Sequence, residues 1–263
     1  MTDPNQSFTD GKAYERMMGR WSRLVGAQFL DWLDIPPQQN WLDIGCGNGA
    51  FTAEILSRAS PLAVTGIDPS PDQLSHARAR HPGANVRFQA GDAQALSFGD
   101  NQFDVAVMAL VISFVPEPLK AVAEMARVVR PGGWVATYMW DIPGGGLPVQ
   151  PVYAALRSMG LSPPLPPNPA VSSQAALRQL WQAAGLVSLE AKVIRIPVSY
   201  SSFEDFWDSN SVPIGPQGKF MQSLSPAALM ELRQLLQRQL SVEAGGSIAY
   251  ESFSNAIVGR VAA

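Results

Sequence analysis

WLDIGCGNGAFT, residues 41–52, sets glycines at 45, 47 and 49, directly after a short apolar run. Glycine recurs this densely where a backbone must turn sharply and something must approach it closely. NWLDI (40–44) reads as a strand, and the glycine turn opens a helix that runs through Ala59. A turn of this kind exposes backbone N–H groups at a helix start, so its reading decides both the fold and the ligand.

Outward from the turn the alternation continues. LAVTGID (62–68) is a strand, PSPDQLSHARARHP (69–82) a helix, VRFQAGD (86–92) a third strand and FDVAVMAL (103–110) a fourth. A helix at 118–129 leads into a fifth strand, RPGGWVATYMW (130–140). Short apolar strands alternating with helices predict parallel pairing through right-handed crossovers, with both sheet faces covered. Before this core, residues 12–34 read as a helix carrying Leu24, Phe29, Leu30 and Leu33 at helical spacing, stopped by Pro36-Pro37.

The regularity ends at Asp141. Breaker-rich IPGGGLPVQP (142–151) and SPPLPPNPA (162–170) surround a short helix at 152–159. A helix at 172–185 leads into a strand at 187–200, and the final strand is 247–262. Between these two strands lie an aromatic segment, SFEDFWDSN (202–210), and an amphipathic helix at 226–240. The expected organisation is one domain over 1–263: an N-terminal helical cap (1–37), a cofactor-binding core (38–141), a loop-rich insertion (142–171) and a C-terminal part (172–263) with a helical lid at about 201–245.

Composition narrows the partners. The formal net charge is −3 with no Lys/Arg run, which argues against nucleic acid or an anionic membrane. The longest apolar run, VAVMALVISFV (105–115), is too short to span a bilayer, and MTDPNQSFTDGKAYER lacks the apolar stretch of a secretory signal. A single cysteine, Cys46, excludes an internal disulfide framework and fits a reducing compartment. A cytoplasmic protein is expected.

Two ligand classes fit the turn. Gly45, Gly47 and Ala50 satisfy G-x-G-x-x-(G/A), with acidic Asp68 following at the distance of a dinucleotide fingerprint. Asp68 accepts from ribose hydroxyls of either class and does not discriminate. Asp43 does. A pyrophosphate on the helix start would feel its charge at about 5 Å, a repulsion of roughly 3 kcal/mol at an effective dielectric near 20. The same carboxylate attracts an ammonium and a sulfonium, the charges of S-adenosylmethionine.

Five elements then fall in order: LDIGCGNG (42–49), GID (66–68), AGDA (90–93), FDVAV (103–107) and RPGG (130–133). Together they resemble the class I S-adenosylmethionine-dependent methyltransferases, and among these the small-molecule branch called methyltransferase type 11, over about residues 40–140. The resemblance implies a doubly wound, Rossmann-like α/β fold: a seven-stranded sheet, mostly parallel with an antiparallel last strand, plus helical lid insertions. It implies backbone contacts to the methionine part from Gly45, Cys46 and Gly47, ribose hydroxyls on Asp68 with Pro69 beside it, and the adenine edge at Asp92 and Ala93. Ala109, at the end of strand four, completes that set. YERMMGRWSR (14–23) is similar to a segment before the core in some bacterial members and implies Tyr14 and Arg20 over the methionine carboxylate, which a guanidinium suits. Cys46 reads as a small buried filler rather than a reactive thiol.

Methyl transfer from a sulfonium is an in-line displacement, so the protein has mainly to align the acceptor and exclude water. A base is needed only when the acceptor must lose a proton early. Many members of the resembled family carry a histidine after strand four; here LVISF (110–114) offers Ser113 instead. The catalytic candidates are Ser113, Tyr138, Asp141 and Tyr200, with the lid acids Glu204 and Asp205 behind them. His76 and His81 read as surface residues around the helix after strand two, far from the methyl position.

No N/D-P-P-Y/F tetrapeptide or Pro-Cys nucleophile is present, Asp141-Ile142 departs from a metal-binding Asp-Asn pair, and one cysteine does not suit arsenite methylation. A small organic acceptor and metal-independent transfer remain, with S-adenosylhomocysteine as product. Trp140, Phe203, Phe206 and Trp207 are the expected acceptor wall, and the glycines at 144–146 a hinge. A monomer or homodimer is expected. Two other readings stand beside this one: a non-catalytic donor-binding module on the same fold, and a nicotinamide-dependent oxidoreductase that tolerates Asp43 beside its pyrophosphate.

Overall fold

The computed structural model describes residues 18–263 apart from Ala84, Ile214 and Ala244. Seven strands form one sheet: β1 (Asn40–Ile44), β2 (Ala63–Asp68), β3 (Val86–Ala90), β4 (Phe103–Ala109), β5 (Val129–Trp140), β6 (Val187–Tyr200) and β7 (Ile248–Arg260). Their order is β3-β2-β1-β4-β5-β7-β6. The helices are α1 (Arg20–Leu33), α2 (Ala50–Arg58), α3 (Pro71–Arg80), α4 (Pro118–Val128), α5 (Gln150–Ser158), α6 (Gln174–Ala183), α7 (Phe203–Asn210), α8 (Gly215–Gln222) and α9 (Pro226–Gln239). Neighbours among β1–β5 pair in parallel, whereas β7 runs antiparallel to β5, from Trp134 opposite Arg260 to Trp140 opposite Ser254. The expected seven-stranded, mostly parallel sheet with an antiparallel last strand is the observed one.

The central strands are apolar along most of their length because helices cover both faces. Leu42, Ile44, Ala106, Met108 and Val135 join Val122, Met125 and Val128 of α4 and Leu177 and Trp181 of α6 in one buried cluster. The Trp181 indole donates to Val135 O at 3.0 Å, which pairs the polar atom that a buried tryptophan brings with it. Phe29 of α1 packs on Tyr138 with ring centroids 4.7 Å apart, and Phe51 of α2 joins them. The helical spacing named Leu24; in the structure Leu24 is exposed and Val25 takes its place beside Phe29, Leu30 and Leu33.

At the sheet edge, β6 buries every second residue from Ile194 onward (Ile194, Ile196, Val198, Tyr200), and Pro197 is exposed on this edge strand, the place in a sheet that tolerates proline. Helix α8 is an element that sequence reasoning did not anticipate, since GPQGKFMQ carries breakers at Gly215, Pro216 and Gly218. Packing overrides propensity there. A Cβ at Gly218 would stand 2.1 Å from Val212 O, so only glycine permits that close approach.

The chain divides into two compact units. One comprises residues 23–144, 166–194 and 254–263, and therefore β1–β5; the other comprises the described residues up to Ser22 with 145–165 and 195–253, and therefore α5 and α7–α9. The loop-rich stretch anticipated over 142–171 is shared between them, 145–165 going to the second unit and 142–144 with 166–171 to the first. No helix among the described residues is long and apolar enough to cross a membrane.

Candidate functional site

The chain leaves β1 in opposite directions toward β2 and toward β4, which makes the carboxyl ends of β1 and β4 the switch point where open α/β sheets bind ligands. The glycine turn lies there. Gly45, Gly47 and Gly49 adopt φ of 72°, 52° and 78°, the left-handed region in which a side chain is strained. The N–H groups of Gly45 and Cys46 donate to Ile67 O at 2.8 and 2.9 Å, tying the turn to the end of β2. Gly49 precedes α2 without a side-chain cap, so the first N–H groups of that helix are directed at the turn.

Gly45 is required twice over. A Cβ there would meet Val111 Cγ2 at 2.5 Å, and φ is positive. Val111 follows Leu110, itself at φ 62°, a left-handed residue at the tip of β4 whose N–H is held by Tyr138 O at 2.9 Å. Such strain persists where the surroundings over-determine it, as they do at binding sites. Gly45→Ala should lose about 2–4 kcal/mol of stability, from left-handed strain plus overpacking. Gly132→Ala is the control: φ is 74° but nothing lies within 4 Å, so strain alone remains. Equal unfolding temperatures for the two variants would refute the Val111 contact.

Two carboxylates face this turn. Asp43 is fully buried; its Oδ2 accepts from the Thr52 hydroxyl at 2.6 Å, while Oδ1 has no hydrogen-bond partner among the described residues. Burial pushes its pKa up to about 7, opposed by the Thr52 bond and assisted by the charge of Asp68. Asp68, half-buried at the tip of β2, accepts from Gly47 N–H through Oδ2 and from Ser70 N–H through Oδ1, both at 2.9 Å. Desolvation raises its pKa as well, against those two bonds. A buried carboxylate oxygen without a donor, beside a second carboxylate, is an incomplete arrangement that a cation completes.

The other anticipated cofactor residues take these places. Gly91 N–H donates to Asp68 O at 3.3 Å and brings the loop after β3 to the tip of β2. Asp92 is exposed in that loop, with Oδ1 accepting from Gln94 N–H at 2.9 Å; Ala93 is half-buried against the core. Pro69 is exposed and Ala109 half-buried at their strand tips. Cys46 is buried, and that burial raises its thiol pKa far above its ordinary value, which leaves it inert. Arg20 belongs to the second unit, its guanidinium 4.2 Å from the ring centroid of Trp21 and 4.7 Å from that of Tyr200. Tyr14 lies outside the described residues.

Among the catalytic candidates, Ser113 is fully buried in a 3-10 turn after β4, its Oγ without a hydrogen-bond partner among the described residues. Tyr138 is buried among Phe29 and Phe51. Asp141 Oδ1 accepts from Gly144 N–H at 2.7 Å and so closes the turn after β5. Tyr200, in the second unit, accepts from Asn210 Nδ2 at 3.3 Å. Glu204 pairs with Arg233, and Asp205 accepts from the Ser201 N–H and hydroxyl.

Of the aromatic residues, Trp140 is buried at the end of β5. Phe206 is fully buried in the second unit, whereas Phe203 and Trp207 are half-buried and stacked, with Arg233 over both rings. Among the described residues no group of three or more His, Cys, Asp and Glu is arranged to hold a metal ion. Sequence reasoning passed over Thr52 and Val111 and placed His81 on the surface; in the structure Thr52 bonds Asp43, Val111 closes on Gly45, and His81 is half-buried with its ring nitrogen 2.9 Å from Gly49 O, contacts that no local signal marked.

Residues 42–137, the stretch holding both carboxylates and the glycine turn, match the family described as "Methyltransferase domain". The matched stretch is similar to methyltransferase domains. The chain resembles, at 38% identity over 134 residues, the demethylmenaquinone methyltransferase of Renibacterium salmoninarum, covering 51% of this chain and 53% of that one. The chain spans about half or less of the length of the curated relatives it matches. The fold over most of the chain is shared with the YcgJ protein of Bacillus subtilis (TM-score 0.60, 18% identity, 91% and 98% of the two chains). It is shared too with a phosphoethanolamine N-methyltransferase of Haemonchus contortus solved with S-adenosyl-L-methionine (TM-score 0.59, 19% identity, 96% and 56%). The matched stretch thus coincides with the part of the chain where glycine turn, Asp43 and Asp68 converge.

Proposed function

We propose that the chain transfers a methyl group from S-adenosylmethionine to a small organic acceptor without a metal. The observation that carries this reading is the buried Asp43, with one oxygen unpaired among the described residues and Asp68 close enough to raise its pKa. The two carboxylates favour a cation and oppose a pyrophosphate, which sets the nicotinamide reading aside. Relatives named as methyltransferases of small molecules support the transfer reading and the acceptor class.

Bound at this turn, S-adenosylmethionine supplies an electrophilic methyl on a sulfonium. The residues of this chain do the rest. Asp43 faces the ammonium, the Gly45–Gly47 backbone lines the methionine part, Asp68 holds the ribose hydroxyls, and the loop at Asp92 and Ala93 lies along the adenine edge. The carboxylates stabilise the cation, and a covered site excludes water from the displacement. Ser113, buried just after β4 with a hydroxyl unpaired among the described residues, is the candidate nearest the turn in sequence for orienting an acceptor. The lone buried cysteine suits a reducing, cytoplasmic setting.

Calorimetric titration of the dialysed protein with S-adenosylhomocysteine, with NADH and NADPH in parallel, tests the reading. Micromolar binding of the homocysteine compound alone is expected, followed by its appearance as product when phenols, amines and carboxylic acids are offered with the donor. Binding of a nicotinamide cofactor instead would overturn the assignment. Donor binding without turnover on any acceptor would favour a sensing module.

A further inference from the structure

Helix α3 ends against the glycine turn. At His81 the chain leaves helical geometry (φ −125°, ψ 77°) while its backbone N–H still donates to Ala77 O, and Pro82 prevents another turn. The imidazole is thereby turned back so that Nε2 lies 2.9 Å from Gly49 O. A carbonyl only accepts, so Nε2 carries the proton at this contact, in the neutral Nε2–H tautomer or the imidazolium.

Gly49 O is already the acceptor for Ala53 N–H at 3.0 Å, the first bond of α2, so the imidazole donates to its second lone pair. The ring also fills the space above Gly49: a Cβ there would meet His81 Cδ2 at 2.9 Å and Ala77 Cβ at 3.3 Å. Phe88 of β3 stands behind the ring, centroids 6.0 Å apart. One residue earlier in each segment, Arg80 Nη1 donates to Asn48 Oδ1 at 3.4 Å. The end of α3 therefore grips the last two residues of the turn.

We propose that His81 is a positioning residue for the donor site: through Gly49 O it holds the glycine turn and the start of α2 in the ligand-ready conformation, without touching the ligand. This corrects the expectation of a bystander surface histidine. It rests on the donor-site reading given above. The link is mechanical. Each of the three glycines that permit the turn also leaves it free to relax, and a hydrogen bond from outside the turn restricts that freedom at its hinge with α2.

Two readouts separate this proposal from the function it serves. In the unliganded protein, His81→Leu should speed amide hydrogen exchange over residues 45–53 about five- to tenfold, the worth of one hydrogen bond, with residues 118–128 unchanged. His81→Gln, whose side-chain amide also donates, should restore protection. Unchanged exchange in His81→Leu would refute the brace, as would equal loss in the Leu and Gln variants, since packing alone would then account for it. In the second readout, His81→Leu should weaken S-adenosylhomocysteine binding by a similar about five- to tenfold factor and His81→Gln by about twofold or less. Failure of the wild-type protein to bind that ligand strikes the donor assignment, and the exchange result still decides the brace.

Discussion

Asp68→Ala is expected to bind S-adenosylhomocysteine about 30- to 1,000-fold more weakly than the wild-type protein, a loss of about 2–4 kcal/mol. The loss has two sources. The Asp68 carboxylate accepts from Gly47 N–H and Ser70 N–H, so it joins the glycine turn to the start of α3. Each oxygen keeps a second lone pair, and those two are the ribose acceptors in the proposed complex. Alanine removes all four. Asp68→Asn keeps the shape and one acceptor oxygen, so it should fall between the two. Because the protein–protein bonds are lost as well, unfolding of the unliganded variants is measured beside the titration. An Asp68→Ala protein that titrates like wild type would show that the ribose lies elsewhere.

The second large effect is a pH dependence. The Asp43 carboxyl rises from 3.8 to about 7 on folding, chiefly through burial, with the Thr52 hydrogen bond working against the rise and the charge of Asp68 adding to it. An acid raised on folding holds its proton more tightly in the native state. Its contribution is therefore fully present below the unfolded pKa of 3.8 and is lost as pH rises through about 7. At 1.36 kcal/mol for each tenfold change in proton affinity, roughly 3–5 kcal/mol is involved. The unliganded protein should thus unfold at a lower temperature at pH 8 than at pH 5.5, and Asp43→Asn should flatten that difference.

Donor binding has the opposite slope. A bound ammonium favours the ionised carboxylate, so affinity for S-adenosylmethionine should climb between pH 6 and 8 in the wild type and stay nearly level in Asp43→Asn. A wild-type affinity that does not change over this range would remove Asp43 from the donor site. Asp104 and Glu124 do not interfere, because their partners hold their pKa values below the usual carboxylate range and they titrate on the acid side of this window.

The turn and the strands that flank it were legible in the sequence. The glycines at 45, 47 and 49 announce a turn because no other residue takes three left-handed positions so readily. Asp43 and Asp68 announce their importance by standing at strand tips beside it. The roles of Thr52 and His81 were not legible. A threonine in a helix and a histidine after an Arg-rich helix look ordinary in sequence, and what each does is set by Asp43, nine residues away, and Gly49, 32 residues away. The aromatic segment after β6 shows the converse. Its rings suggest a ligand wall, but Phe206 is buried against Tyr200 and Phe203 inside the second unit, and periodicity does not say which ring packs inward.

By itself the sequence determined the order of strands and helices, the parallel core and the position of the turn. Apolar period, proline and glycine act over a few residues, and their physics is written locally. Tertiary structure alone decided that β7 enters between β5 and β6, that GPQGKFMQ is helical, that Val111 presses on Gly45, and that the end of α3 reaches the turn. These depend on which distant surfaces meet. A residue's type records whether it prefers water or the interior, but its hydrogen-bond partner is chosen by the packing of elements far apart in the chain.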